Sequence, residues 1–314
     1  MQIISWIIST LLQWYVWMPI VAVLMFLTWR NYRKIEDFTP VESVLLVLEI
    51  PRTNDKQELA AEQLFASLHG ILRDNKELRL SGGHQEHISF EIASVNGQIR
   101  FYVWVPKTLQ SFVEGQIYSQ YPTVQIHQAD EDYTEHERNH EVAYSTELTL
   151  TTDEFLPIRT FQNFEVDPLA GITGTLAKLE TTGEELWIQV LVRPIPDDWQ
   201  NAADRYINSI RNGRMFSLPG FGGSMQWLIG VLGALWQPPE QGVGQSAKIE
   251  LSDRDKTRIS EAEKKATKLG YEVKIRLVYM GESQTNAKLR MQALVGTFKQ
   301  FNSTNLNGFR AVKG

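Results

Sequence analysis

Two histidines and a glutamate stand at the spacing of a zinc-hydrolase motif near the middle of the chain. The segment from His136 to His140 reads His-Glu-Arg-Asn-His, which matches H-E-x-x-H literally. In that motif both histidines bind zinc from one helical face and the glutamate, here Glu137, acts as general base. The setting differs, because the acidic stretch from Asp130 to Glu141 has no apolar helix face and a strand pattern follows directly. We interpret the match as accidental and keep a membrane-bound zinc hydrolase as the alternative function.

The other reactive side chains form no recognisable catalytic set. The chain has no cysteine, which excludes disulfides, thiolate catalysis and cysteine-based metal centres. The glycine-rich segment 220–223 is not followed by Lys-Ser or Lys-Thr, so it does not form a phosphate-binding loop. The acidic pairs Glu184-Glu185 and Asp197-Asp198 are typical of turns and helix starts. We therefore predict no catalytic residue, no metal site and no cofactor.

The overall composition is that of a soluble protein, with 43% hydrophobic and 22% charged residues among 314. A membrane interpretation must therefore rest on local clustering. The net charge of -6 does not favour direct nucleic-acid binding, because phosphate recognition draws on concentrated lysine and arginine.

Hydrophobic residues cluster at the N-terminus. No charged residue or histidine occurs between Ile3 and Trp29, a run longer than the roughly 20 residues that span a bilayer core. A cleaved signal peptide would have a positive start and a shorter apolar core. Basic residues follow the run, which by the positive-inside rule places the rest of the chain in the cytoplasm. We predict that residues 1–34 form the single transmembrane anchor of an inner (cytoplasmic) membrane protein in contact with membrane lipid. The residues that define the anchor are Trp14, Trp17, Pro19, Trp29, Arg30, Arg33 and Lys34.

Residues 40–132 carry the pattern of a first folded domain. An apolar strand at Val44–Ile50 precedes a helical spacing of apolar residues from Ala61 to Leu72. Two alternating segments then flank Asn96-Gly97, a hairpin-turn pair. A further helix at 109–117 and a strand at Thr123–His127 complete the order βαββαβ, which is that of a ferredoxin-like sandwich.

Residues 142–314 repeat a related pattern around an insertion at 214–247. The predicted elements are a strand at 142–150, a helix at 167–180, a strand at 186–193, helices at 197–212 and from Ser252 to Gly270, a strand at 271–280 and a helix at 285–301. We predict an α+β protein: an N-terminal transmembrane helix followed by two ferredoxin-like α/β sandwich units. Two successive sandwiches fit this order better than one large sheet.

The insertion contains an uncharged apolar run that is too short to span a bilayer. We predict that it docks at a membrane interface or at another subunit, with folding onto the second core as the alternative. The residues of this docking loop are Met225, Trp227, Leu228, Ile229, Val231, Leu232, Leu235 and Trp236.

Several segments of the sequence carry the pattern of a known family: Phe155–Phe161, Asp167–Leu169, Glu184-Glu185, Gln189, Pro194 and Trp199, together with 252–301, which includes Lys264-Lys265 and Val273–Arg276. These segments resemble the N-terminal region of membrane-anchored, helicase-like ATPases of type IV secretion and conjugation systems of candidate-phyla bacteria. The resemblance covers most of the chain. In such proteins this region precedes a hexameric DNA-translocating ATPase domain, whose phosphate-binding loop this sequence lacks. The gene is then split, the chain is truncated, or this copy works without a motor.

The resemblance implies a membrane platform of a secretion or DNA-transfer system. Our leading hypothesis is a non-enzymatic, membrane-tethered platform that docks or oligomerises with a motor ATPase and forms a homo-oligomer. A membrane-bound nucleic-acid binder is a third hypothesis, which a steep salt dependence of DNA affinity would support.

Overall fold

The computed structural model describes residues 14–36, 41–51, 59–80, 83–135, 140–179, 183–211 and 251–312. The helices are α1 (Trp14–Glu36), α2 (Leu59–Leu68), α3 (Asn75–Leu80), α4 (Gln110–Gln120), α5 (Pro168–Ala177), α6 (Gln200–Arg211), α7 (Asp253–Ala266) and α8 (Gln284–Phe298). The strands are β1 (Ser43–Glu49), β2 (Ile88–Val95), β3 (Gln98–Pro106), β4 (Gln125–Gln128), β5 (Val142–Leu150), β6 (Glu185–Pro194), β7 (Tyr271–Gly281) and β8 (Phe309–Ala311). The chain divides into two compact units, one made of Met1–Glu42 and Asn75–His84, the other of Ser43–Asp74 and Gln85–Gly314.

The first unit contains α1 and the short helix α3. Helix α1 runs through Pro19 without a break. Every residue from Trp17 to Trp29 is exposed. Within the described ranges, no helix is both long enough and apolar enough to cross a lipid bilayer.

The second unit is built on one antiparallel sheet. Its described strands lie in the order β4-β1-β3-β2-β6-β7-β5-β8. The two central strands, β2 and β6, pair antiparallel from Ile88 opposite Val192 to Ser94 opposite Leu186. We call this pairing the joint. The mixed α/β character expected from the sequence is confirmed. The preference for two successive sandwiches over one large sheet is wrong, because the joint fuses the strands of residues 43–128, which we call the first half, with those of residues 142–311, the second half, into one sheet.

The helices of both halves pack on the same face of this sheet. In the first half α2 and α4 bury Leu64, Leu68, Val113 and Ile117 against strand residues such as Val103. In the second half α5 and α8 bury their apolar residues in the same way. The two cores meet at the joint, because Ile92 of β2 packs against the second core and Val192 of β6 belongs to the first. On both strands the even-numbered residues face the helices and the odd-numbered residues face the opposite side, as the two-residue period of a strand requires.

Local signals in the sequence fix several element ends. Asn96 and Gly97 both have positive φ, 52° and 74°, which is the backbone of the tight turn that matches strand twist in a two-residue hairpin. The Asp167 side chain accepts a hydrogen bond from the Leu169 amide at 2.8 Å and caps α5, with Pro168 in the first turn. Ser252 caps α7 by accepting from the Asp255 amide at 3.2 Å.

In the second half, the place of the β2–β3 hairpin is taken by a long segment between β6 and β7, which we call the excursion. Between β6 and β7 the chain forms α6 and α7, which pack on each other and on Phe155 and Leu156 in a separate apolar cluster. The predicted docking loop belongs to this excursion, but residues 212–250 lie outside the described residues.

Candidate functional site

The chain between β4 and β5 crosses the face of the sheet opposite the helices, and we call its described residues Ala129–Glu135 and His140 the strap. β4 lies at one edge of the sheet and β5 next to the other edge, so the strap must pass over the joint. Its Tyr133 side chain, 4% exposed, packs between Tyr102 of β3 and Trp187 of β6. The strap thereby contacts strands from both halves. Residues 136–139 lie outside the described residues.

Beneath the strap lies a polar layer centred on the joint. Glu91 of β2 and Gln189 of β6 are direct partners across the joint, and both are buried. The Tyr133 hydroxyl donates a hydrogen bond to Glu91 Oε2. Gln189 Nε2 donates to the Tyr133 hydroxyl at 3.1 Å and to Glu91 Oε1 at 3.4 Å. Arg276 of β7 donates to Gln189 Oε1 at 3.4 Å. One network therefore links the strap with three strands.

Burial sets the electrostatics of this layer. Loss of solvation raises the pKa of the Glu91 carboxyl, and the hydrogen bonds from Tyr133 and Gln189 oppose that rise. Burial, with the negative charge of Glu91 next to it, also raises the pKa of the Tyr133 hydroxyl, which therefore stays a donor at neutral pH. A protonated phenol facing a buried carboxyl is suited to holding the strap in place.

A second buried carboxylate lies at the start of β6. Glu185, 2% exposed, accepts a hydrogen bond from the Trp187 indole at 3.1 Å. Its Oε1 lies 3.6 Å from His140 Nε2, at the far end of the strap. His140 thus pairs with a carboxylate of the sheet. The remaining residues of the H-E-x-x-H match, His136, Glu137, Arg138 and Asn139, lie outside the described residues.

The adjacent Glu184 faces the helical side. It accepts from the Tyr279 hydroxyl at 2.7 Å and forms an ion pair with Arg290 of α8 at 3.0 Å. The interpretation of Glu184-Glu185 as turn residues is wrong for Glu185, which begins β6, and both carboxylates are buried and hydrogen-bonded. The pair stands at the start of a strand, where consecutive side chains point to opposite faces. That period is the signal by which one carboxylate could have been assigned to each face.

The polar layer connects the strap to the sheet through hydrogen bonds. Over the described ranges, no group of three or more histidine, aspartate or glutamate side chains is placed to hold a metal ion. The Glu91 carboxyl is buried beneath Tyr133 of the strap. The arrangement can fix the strap across the joint and keep both halves in one register.

The structure places the predicted anchor residues only in part. Trp14, Arg30, Arg33 and Lys34 belong to helix α1, as do Pro19 and the exposed Trp17 and Trp29. Ile3, where the predicted span begins, lies outside the described residues. The docking-loop residues Met225, Trp227, Leu228, Ile229, Val231, Leu232, Leu235 and Trp236 also lie outside them. Sequence reasoning missed Tyr133 and Glu91, because nothing local to either residue shows that they meet.

The fold and the layer define a class: a mixed α/β protein in which one antiparallel sheet is assembled from two halves and crossed by a strap. The sequence profile of a family described as a domain of unknown function, DUF8128, matches residues 36–312. The chain belongs to this family. No curated protein matches the chain.

Proposed function

We propose that this chain is a membrane-tethered, non-enzymatic platform that presents a rigid sheet domain for assembly with other proteins. The observation that carries the proposal is the exposure of apolar side chains along α1. Trp17, Met18, Leu24, Met25 and Phe26 are each more than half exposed, at 52%, 62%, 56%, 67% and 55%. A helical segment that is apolar on all sides is stable only inside a large core or in lipid. We propose lipid as the environment of the segment Trp17–Leu27 of α1.

The polar groups of α1 also suit an apolar environment. The Thr28 hydroxyl donates to the backbone carbonyls of Leu24 and Met25, both at 2.9 Å. A hydroxyl that bonds back to its own helix needs no water. Arg30, Arg33 and Lys34 follow within the same helix, and a basic flank supports a cytoplasmic location for the rest of the chain at the inner membrane.

Each half of the sheet is, in this proposal, a ferredoxin-like unit. The support is the strand order, β4-β1-β3-β2 in one half and β8-β5-β7-β6 in the other. If each half is numbered from its own first strand, both orders read 4-1-3-2. Two helices in each half connect the strands on one face, as the βαββαβ order requires. The two units would share the joint as a common edge, which removes two exposed strand edges.

The proposed partner is a motor ATPase of a secretion or DNA-transfer system, with a homo-oligomer of the platform around it. The support for this partner is the sequence resemblance of residues 155–199 and 252–301. The zinc-hydrolase alternative gains no support from His140, whose Nε2 lies 3.6 Å from Glu185 Oε1.

Membrane fractionation tests the proposal. The full chain should stay in the membrane pellet through carbonate washing, while a variant that begins at Asp37 should be soluble and folded. Recovery of the full chain in the soluble fraction would refute the tether. Co-expression with a helicase-like ATPase of a type IV secretion or conjugation system would test the partner separately, through co-purification that survives in the Asp37 variant.

A further inference from the structure

A groove of about 810 Å³ opens in the second half of the sheet, away from the strap and its polar layer. Its floor is formed by strand residues on the helical face, including Leu148 of β5 with Val273 and Ile275 of β7. Val273 is 50% exposed, and Leu269 beside it is 47% exposed. The volume lies within the range of about 300–1,000 Å³ that is typical of ligand sites. The floor leaves apolar surface in water that a ligand could cover.

The polar groups that line this groove are mostly paired at its rim. Lys268 forms an ion pair with Glu62 of α2. Glu272 forms one with Arg193 on the neighbouring strand. These two charges are thereby compensated on the protein itself.

One hydrogen-bond donor in the wall, the Lys265 ammonium, has capacity left for a ligand, because it carries three N–H groups. Lys265, at the end of α7, donates from Nζ to the backbone carbonyl of Glu154, an acceptor without a full charge. Burial lowers the pKa of the Lys265 ammonium, and the Glu154 carboxylate only partly offsets this, so a further anion would stabilise the charge.

We propose that this groove binds an anionic amphiphile, with the carboxylate or phosphate head at Lys265 and the acyl chain along Leu148, Val273 and Ile275. This binding site does not depend on the proposed platform function. It adds a class of ligand that the protein would bind. The same head-and-chain chemistry is offered by a free fatty acid and by an anionic phospholipid. Either source satisfies the geometry, and the experiment separates them.

The test is photolabelling of the full chain in nanodiscs of zwitterionic lipid. A fatty acid and a phosphatidylglycerol, each with a diazirine in the acyl chain, are compared with an alkylamine that has the same chain and a cationic head. Mass spectrometry of the digested protein should find saturable labelling within residues 148–152 or 269–275 for one or both anionic probes. Labelling by the fatty acid alone, or by the phospholipid alone, identifies the source.

Substitutions at two neighbouring lysines test the head-group site. Lys265→Met should weaken groove labelling by about tenfold or more, since a charge-assisted hydrogen bond is lost. Lys265→Arg keeps the charge and should retain labelling. Lys264→Met is the matched control, because Lys264 is exposed and pairs with Glu261. Equal labelling by the alkylamine, absence of saturable labelling in the groove, or an equal effect of Lys264→Met and Lys265→Met in variants with unchanged melting temperatures would overturn the proposal.

Discussion

Tyr133 in the strap donates its phenolic hydroxyl to the carboxyl of Glu91 in the central strand β2, and both side chains are buried. This hydrogen bond connects the segment between the two halves to the strand at which the halves join. Replacing Tyr133 by phenylalanine removes the donor and leaves the carboxyl under-satisfied. We expect the free energy of unfolding to fall by about 1–3 kcal/mol. The half-exposed Tyr144 supplies the control, since Tyr144→Phe should change the same free energy by less than about 0.5 kcal/mol. A denaturant titration in which both variants unfold alike would contradict the role of Tyr133.

The pH dependence of stability should carry the signature of Glu91. Its pKa is raised in the folded protein above the ordinary value of 4.5, so the folded state holds the proton more tightly than the unfolded state does. The stability from this group is therefore complete below pH 4.5 and is lost as the pH rises through the folded-state pKa. The free energy of unfolding of the natural protein minus that of Glu91→Gln should fall with rising pH across that interval. A difference that stays flat, or that grows with pH, would show that the carboxyl is not destabilised by burial.

Gly270, directly before β7, should not tolerate a side chain. A Cβ at this position would overlap the indole ring of Trp199. Gly270→Ala should therefore destabilise the protein by about 1–3 kcal/mol, and the smaller ring in Trp199→Phe should recover part of the loss. Gly174 in α5 is a matched control, because nothing lies near a Cβ added there and alanine favours a helix by about 0.5–1 kcal/mol. Thermal melts in which both glycine variants gain stability would contradict the packing of Gly270 on Trp199.

The order of helices and strands along the chain could be predicted from the sequence, while the order of the strands in the sheet could not. The strand at Val142–Leu150 and the turn at Asn96-Gly97 were predicted correctly, because hydrophobic period and turn chemistry are local. The joint was missed, since β2 and β6 are far apart in sequence and their apolar residues form the same pattern whether the strand edge is shared or covered. The three-residue strand β8 was also missed, because so short a segment carries no period.

The candidate site shows the same limit. Tyr133 stands in an acidic stretch that reads as a solvated linker, and Glu91 is a polar residue in an alternating strand. Each has an ordinary local explanation. Their contact depends on the strap crossing the joint, which no short-range pattern encodes.

One continuous sheet predicts that both halves unfold together. Val103 of β3 and Leu277 of β7 are fully buried, one in each core. In native-state hydrogen exchange, the slowest amides of these two strands should share one free energy of opening, within about 0.5 kcal/mol. Exchange of β3 and β7 at clearly different free energies would instead indicate two independently stable domains.

The sequence also predicts that the chain neither hydrolyses nor binds ATP. It has no glycine-lysine phosphate-binding loop to hold the phosphates. Phosphate release by the purified chain should match that of buffer, and titration with a fluorescent ATP analogue should not saturate. Saturable binding in the micromolar range would contradict a platform that depends on a separate motor.

The central claim is that α1 lies in lipid, and the absence of cysteine permits a direct measurement. Leu24→Cys in α1 and Lys288→Cys on the exposed side of α8 can each carry a single spin label in liposome-reconstituted protein. Collisions with oxygen, which concentrates in the bilayer, are compared with collisions with a water-soluble nickel chelate. We predict that the label at position 24 is accessible to oxygen and shielded from nickel, while the label at position 288 shows the reverse. Equal nickel accessibility at both positions would contradict the membrane tether and the platform built on it.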